Sequence, residues 1–472
     1  MSSSPSLEAV AVNTKDMDSA KHIEEAQGQG WTAEEEKKLV RKIDMFLMPT
    51  IFLMYLLSYM DRTNIGNAKI AGMADDLHLT SGQYSIALVV FFIGYVVFEP
   101  PSNMILVRTR PPVYLSTIMG IWGMLTMVMA AIHDFKHLVV LRVLIGVVEA
   151  AFAPGILMII SSWYKREEQS KRFGIYICAA ILSGAFGGII AGAITGGLEG
   201  AHGIRGWRWL FIVEGAATVG WAFFAGFLLL DFPAQCRYMN EREKYIAITR
   251  LQEGGVTTRT EDTPKMSKKQ VFKTVLTDWR LIGFVIGYMV IVGSSTLSYF
   301  YPTLVKGLGY TSTVQAQYMT VPIYAVAFVC TAISAYFCDR IPKHRGLVIA
   351  SWLTFSLITS ILVCCIYNFT ARYVLLVLMA AGLWASNAIS LSYASASFGD
   401  MEPEVRAIAL ATVNALGNLA QIYGAYLFPS DDAPKYLMGF GVISGMLGVG
   451  VFTYLFMHYM LRKKEGLGFW RN

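Results

Sequence analysis

The sequence predicts an all-α integral membrane protein with twelve transmembrane helices in two six-helix bundles, a 6+6 pseudo-repeat. Three observations predict it. Hydrophobic residues make up 55% of the 472-residue chain and charged residues only 15%, where soluble domains carry roughly 45–50% and about 25%. Apolar stretches close to the ~20 residues needed to cross a bilayer recur along the chain. A polar segment, residues 232–280, splits them into two sets of six. This composition excludes a disordered chain, a collagen-like chain, a disulfide scaffold and an ordinary cytosolic enzyme.

In chain order, residues 1–30 are polar and lack the basic-then-apolar pattern of a cleavable signal; they read as a disordered tail. Next, WTAEEEKKLVRKID predicts a short amphipathic helix. Thr32 and Glu35 have capping-box spacing, and Leu39, Val40 and Ile43 share one side. The twelve predicted spans lie near 45–66, 84–107, 112–132, 138–162, 172–194, 209–231, 281–304, 317–338, 347–367, 373–395, 406–427 and 438–461. The expected organisation is therefore a tail over 1–44, a bundle over 45–231, a central loop over 232–280, a bundle over 281–461 and a tail over 462–472. Equal halves around a long loop are the plan of a two-bundle secondary transporter.

Net charge is +6, from 39 Lys+Arg against 33 Asp+Glu. The basic residues are spread through loops instead of clustering on a face, so nucleic acid is not an expected partner. Their asymmetry sets topology. With the N-terminus inside, the inside loops hold Arg108, Arg110, Lys165, Arg166, Lys171, Arg172, Arg340, Lys343, Arg345 and Arg406, besides ten basic residues in the central loop. The outside loops hold Lys69, Lys136, Arg205, Lys306, Arg372 and Lys435, with Arg208 at the mouth of span 6. Both termini are expected in the cytoplasm, most simply at the plasma membrane. The six cysteines have no metal-like spacing and read as small hydrophobes. No metal and no cofactor are expected. No G-x-x-x-x-G-K-[ST] is present, which argues against an ATP-driven pump.

Charges inside apolar spans are costly and mark functional candidates. Span 1 contains Asp61 and Arg62, and span 4 contains Arg142 and Glu149. Asp61 lies about 25 Å along span 1 and Glu149 about 16 Å into span 4, at 1.5 Å per residue. The two spans run in opposite directions, so Asp61, Arg62 and Glu149 reach similar depth, with Arg142 nearer the outer mouth. A carboxylate held away from water can exchange a proton near neutral pH. A buried arginine stays charged and grips a carboxylate through two parallel bonds. Asp61 and Glu149 are the expected proton-coupling residues, and Arg62 and Arg142 the expected substrate-binding arginines. The alternative is that Asp61–Arg62 and Arg142–Glu149 are self-satisfied pairs that hold helices together.

The run YMDRTNIGNAKIAGM, the span-4 pattern RVLIGVVEAAFAPG, GWRWLFIVEG entering span 6 and FEPPSNMILVRTRPPVYL resemble the major facilitator superfamily. More narrowly they look like its anion:cation symporter branch, in the fungal allantoate-permease group. The resemblance covers residues 31–465. It implies twelve spans, uptake of an organic acid with protons, Asp61 and Glu149 as coupling carboxylates, and Arg62 as the arginine that follows the first of them. The superfamily's inside-loop motif is clear only in the second half, as Asp339-Arg340-Ile341-Pro342-Lys343-His344-Arg345. Asp339 and Arg340 are expected to form a gate contact.

The C-terminal half has few charges within its spans, so its cavity lining is expected to be aromatic and amide-bearing. Tyr299 on span 7, Trp384 and Asn387 on span 10, and Asn414 and Asn418 on span 11 are the substrate-binding candidates. Rings with a polar tip suit a small heteroaromatic or ureido acid. Aromatic belts and small polar packing residues are the competing explanation. Glu214 is expected to pair locally with Arg208.

The function expected is proton-coupled uptake of a small organic anion by alternating access, without enzymatic activity. The partners are that anion, protons and the lipid bilayer, and each chain holds a complete 6+6 unit and should act as a monomer. A proton antiporter that exports a fungal metabolite would use the same scaffold, and a non-transporting substrate sensor is a third reading.

Overall fold

The computed structural model of the chain describes residues 30–253, 268–310, 312–398, 401 and 403–464. The expected N-terminal tail before Gly30, the middle of the central loop and the final eight residues lie outside the described part. Among the described residues every regular element is a helix. Eleven are long and apolar enough to cross a bilayer.

Span 1 begins earlier than its apolar run. Thr32 caps it, with Oγ1 accepting from Glu35 N at 3.2 Å and Thr32 N donating to the Glu35 carboxylate at 3.0 Å. From there one helix runs from Ala33 to Ala68. The amphipathic segment is therefore continuous with span 1, because nothing between Asp44 and Met45 ends a helix; Leu39, Ile43 and Leu47 stay buried on one face. A π-helical turn, Lys69–Met73, follows, with Gly72 at φ +107°. Only glycine takes that conformation without strain, and a Cβ there would also meet the Arg205 guanidinium.

Span 2 is the helix Ser81–Arg108, with a second capping box between Thr80 and Gln83. Span 3 starts on a proline, Pro111, which suits a position whose N–H has no helical partner. Span 4 is two helices, Phe135–Glu149 and Phe152–Trp163. Pro154 has no N–H to offer the carbonyl of Ala150, so the ladder breaks immediately after Glu149. Spans 5 and 6 are Arg166–Gly197 and Gly206–Leu228. The central loop contains helices of its own, Glu241–Glu253 and Lys268–Thr277.

The second half repeats the plan with more breaks. Span 7 is Trp279–Ser295, a 3-10 turn Thr296–Tyr299, and Tyr301–Gly307. Span 8 comprises Thr313–Tyr318 and Val321–Arg340. Spans 9, 10 and 12 are Arg345–Cys365, Phe369–Ser397 and Leu437–Lys464. Span 11 is not the single helix expected over 406–427. It divides into Pro403–Asn418 and Ala420–Gly424. Gly417 and Asn418, both weak helix formers, precede the break.

The halves meet across a seam on the side remote from the central loop. Tyr84 donates to the carbonyl of Tyr299 at 3.3 Å and Ser85 to that of Ala425 at 2.7 Å. Thr195 donates to Gln317 at 2.5 Å, and Gln317 donates to the carbonyl of Asn67 at 3.4 Å. Small residues let the backbones close. A Cβ on Gly188 would lie 3.0 Å from the carbonyl of Gln317, and one on Gly66 2.6 Å from that of Tyr299. On the loop side, the start of span 1 is tied to the helix Glu241–Glu253 and to the beginning of span 5. Asp44 accepts two bonds from Arg172, at 2.8 and 2.7 Å. The buried Arg250 reaches Glu36, Glu168 and the carbonyl of Trp163.

Candidate functional site

A close helix crossing builds the site. Gly94 of span 2 and Gly146 of span 4 face each other's backbones; a Cβ on Gly94 would lie 2.9 Å from the carbonyl of Val143. Such small residues are how helices approach closely in a membrane. This crossing sets Phe91 and Tyr95, one turn apart on span 2, against Arg142 and Glu149, two turns apart on span 4.

Span 1 presents its two adjacent charges to different neighbours. Successive residues on a helix point about 100° apart. Arg62 turns toward span 4, where its Nε donates to Glu149 Oε1 at 2.7 Å. Ser58, one turn earlier, donates to the same oxygen at 2.5 Å. Asp61 turns instead toward spans 3 and 6. Its Oδ2 accepts from Trp122 Nε1 at 3.1 Å and from Thr218 Oγ1 at 2.9 Å. Neither intrahelical alternative forms: Arg62 pairs with Glu149, and Arg142 donates through Nε to the carbonyl of Ala87 at 3.2 Å.

Arg142 is 2% exposed. It does not reach for an outer mouth but lies over the Phe91 ring, 4.8 Å from its centroid. Arg62 shares that ring at 5.4 Å and also faces Tyr59 at 5.3 Å and Tyr95 at 4.9 Å. Two guanidinium groups thus flank one aromatic ring. Each keeps one buried nitrogen, Nη2, with no hydrogen-bond partner. An unsatisfied buried donor is costly, and here two donors with free capacity face the same aromatic surroundings. This arrangement can receive a carboxylate on the guanidinium groups and a flat or apolar body on the rings.

Tyr299 sits at the break in span 7, buried, with its ring 6.1 Å from Phe92. It is the C-terminal-half candidate that reaches the arginines' neighbourhood. Asn418 donates to Asn414 at 3.4 Å, one turn back on span 11. Trp384 is buried on span 10 and Asn387 is half-buried. Arg340 is exposed, over the ring of Tyr336 at 4.5 Å; the side chain of Asp339 lies outside the described part.

The expected Glu214–Arg208 pair is absent. Arg208 reaches the carbonyls of Ala130 and Ile132, the latter at 2.9 Å. Both carboxyl oxygens of Glu214 are buried without a partner. Residues i and i+6 fall on different faces of a helix, which is why the pair does not form. Sequence reasoning also missed Ser58, Tyr95, Trp122 and Thr218. An indole N–H inside an apolar run needs an acceptor, and that was the signal available for Trp122.

The Major Facilitator Superfamily profile matches residues 51–425. "MFS transporter prlL" of a fungal species is 37% identical over 432 residues, covering 88% of this chain and 84% of its own. The "High-affinity nicotinic acid transporter" of Saccharomyces cerevisiae is 29% identical, covering 91% of this chain and 79% of its own. Among solved structures, an inward-facing bacterial homologue of the human lysosomal transporter Spinster superposes with TM-score 0.68 at 16% identity, over 92% of this chain and 99% of that one.

Proposed function

The chain belongs to the major facilitator superfamily of membrane transporters, and on that premise we propose that it imports a small organic anion together with protons. One observation carries the reading. Arg62 is held by Glu149 through Nε at 2.7 Å, while its Nη2 and that of Arg142 stay buried and unpartnered beside a shared ring. A carboxylate substrate and Glu149 compete for Arg62. Protonating Glu149 weakens its hold and frees the guanidinium. Binding of the anion and uptake of a proton are thereby linked, and Asp61, held by Trp122 and Thr218, is the second proton carrier.

The cycle we propose begins with the cavity open to the outside. A proton neutralises Glu149, the substrate carboxylate docks on Arg62 and Arg142, and Tyr299 with Trp384, Asn387, Asn414 and Asn418 completes the binding surface from the other bundle. The bundles, residues 45–231 and 281–461, rock about the site. The outer seam closes, the proton leaves to the cytoplasm, Glu149 recaptures Arg62, and the substrate is expelled. Asp339 and Arg340 act as a cytoplasmic gate. The termini lie inside and the site of action is the plasma membrane. The nicotinic acid transporter of yeast, 29% identical over most of the chain, and the resemblance to the allantoate-permease group favour a vitamin-like or ureido carboxylate.

The test is uptake in yeast cells expressing the chain, using labelled nicotinate, pantothenate, biotin, allantoate and a dicarboxylate at pH 5 and pH 7, with and without a protonophore. Accumulation of one acid that is faster at pH 5 and collapses with the protonophore is the expected result. No accumulation of any of them, with the protein at the cell surface, contradicts the reading.

A further inference from the structure

Buried ionisable groups inside the membrane are retained at a cost, and each needs an account. Glu214 has none in the cycle above. It is 1% exposed on span 6, and neither carboxyl oxygen has a hydrogen-bond partner. Thr218 stands one turn further along the same helix, where residues i and i+4 share a face. Its hydroxyl donates to Asp61 Oδ2 at 2.9 Å. The other oxygen of Asp61, Oδ1, is also buried and without a partner. Asp61 is thus bonded to Thr218, and Glu214 stands one turn from that threonine on the same helix face, with three of the four carboxyl oxygens buried and without a partner.

Among the described residues, none around Glu214 supplies a countercharge. Span 3 faces this part of span 6 with Trp122, Gly123 and Met127, none of them ionisable. Span 1 brings Asp61, a second acid. Span 5 meets span 6 near Thr195 and Gly206, two turns away. The π-helical turn meets it at the helix opening, where Arg205 and Trp207 are engaged by Asp76. Arg208, on span 6 itself, is spent on two carbonyls of the third helix's end. An ionised carboxylate in such surroundings is strongly disfavoured, whereas a carboxyl that carries a proton is tolerated and can donate a bond to a neighbouring oxygen.

We propose that Glu214 and Asp61 form a proton-binding carboxyl pair, separate from the Arg62–Glu149 pair that handles the anion. The proton enters from the outer side, is held by one carboxylate oxygen of the pair and is released to cytoplasmic water after the bundles rock. Because Asp61 and Arg62 are adjacent on one helix, loading the pair is communicated to the substrate arginine through span 1. This inference rests on the proton-coupled reading above and adds a residue to it.

The experiment compares wild type, Glu214→Gln and Glu214→Asp in proteoliposomes. Net accumulation driven by a pH gradient is measured beside substrate counterflow, which needs no net proton movement. Each coupled proton contributes about tenfold accumulation per pH unit of gradient. E214Q is expected to keep counterflow within about twofold and to lose about tenfold in accumulation per pH unit, with E214D recovering part of it. E214Q with wild-type accumulation and wild-type pH profile overturns the inference alone. A wild-type protein without gradient-driven accumulation sinks the proton-coupled reading itself. A second measurement covers a variant that does not reach the membrane: infrared spectroscopy of purified Asp61→Asn/Glu149→Gln. A protonated-carboxyl band that persists near neutral pH and disappears when Glu214→Gln is added to this variant is expected from Glu214, and its absence, or its survival in the triple variant, overturns the assignment.

Discussion

Replacing Glu149 by Gln removes the competitor for Arg62 while keeping the shape of the side chain. In the wild type a substrate must displace a charge-assisted bond, Arg62 Nε to Glu149 Oε1 at 2.7 Å, between groups only 10% and 1% exposed. Bonds to charged groups are worth about 1.5–3 kcal/mol net, and 1.4 kcal/mol is a factor of ten in affinity. Full removal of the competition would therefore tighten binding roughly 10- to 150-fold. The glutamine carbonyl still accepts from Nε, so the lower end, about tenfold at pH 7, is expected. The sign with pH follows from the same competition. Charged Glu149 competes with the substrate for Arg62 and E149Q removes that competitor, so the affinity of E149Q is expected to depend less on pH than that of wild type. Equilibrium binding of the transported acid by purified protein at pH 5 and pH 7 reads both effects. Counterflow should survive in E149Q while gradient-driven accumulation falls by about tenfold per pH unit, the share of the one proton that Glu149 carries. Weaker binding by E149Q at pH 7, or a pH dependence equal to that of wild type, would refute the reasoning.

Three further outcomes follow from the same geometry. Arg62→Lys keeps the charge but not the planar fork, so uptake should fall at least about tenfold, as labelled-substrate uptake will show. Gly188→Val places bulk where only 3.0 Å separates a Cβ from the Gln317 carbonyl, so it should hold the far-side seam open. A cysteine at Ser85 then labels faster with a membrane-impermeant maleimide than in the parent protein. Asp44→Asn and Arg172→Ala together should lose less thermal stability than the sum of the single variants. The coupling expected for this doubly bonded, partly exposed pair is about 1 kcal/mol, read from a double-mutant cycle of unfolding in detergent.

The helical architecture was legible because each span had to be apolar along its length, and caps such as Thr32 and Thr80 are local. Breaks were legible only in hindsight. Pro154 marks the interruption after Glu149, but span 11 breaks at Leu419 without a proline, where packing decides. The charges of the site were legible as charges: Asp61, Arg62, Arg142 and Glu149 stand out in apolar runs. Their pairing was not, since sequence neighbours such as Asp61 and Arg62 point to different helices. Glu214 shows the limit most clearly. Its nearest base in sequence, Arg208, lies on another face of the helix and is taken by backbone carbonyls. Only the three-dimensional packing reveals that its neighbour is Asp61's threonine.

The most direct measurement is proton movement by the purified protein in sealed liposomes containing a pH indicator. With no gradient imposed, adding the transported acid outside should acidify the lumen as substrate enters, with fewer protons per substrate in E149Q, which keeps the Asp61–Glu214 pair, than in wild type. Substrate entry without acidification, or acidification that requires substrate to leave, would contradict proton-coupled import and point to uniport or to export by antiport.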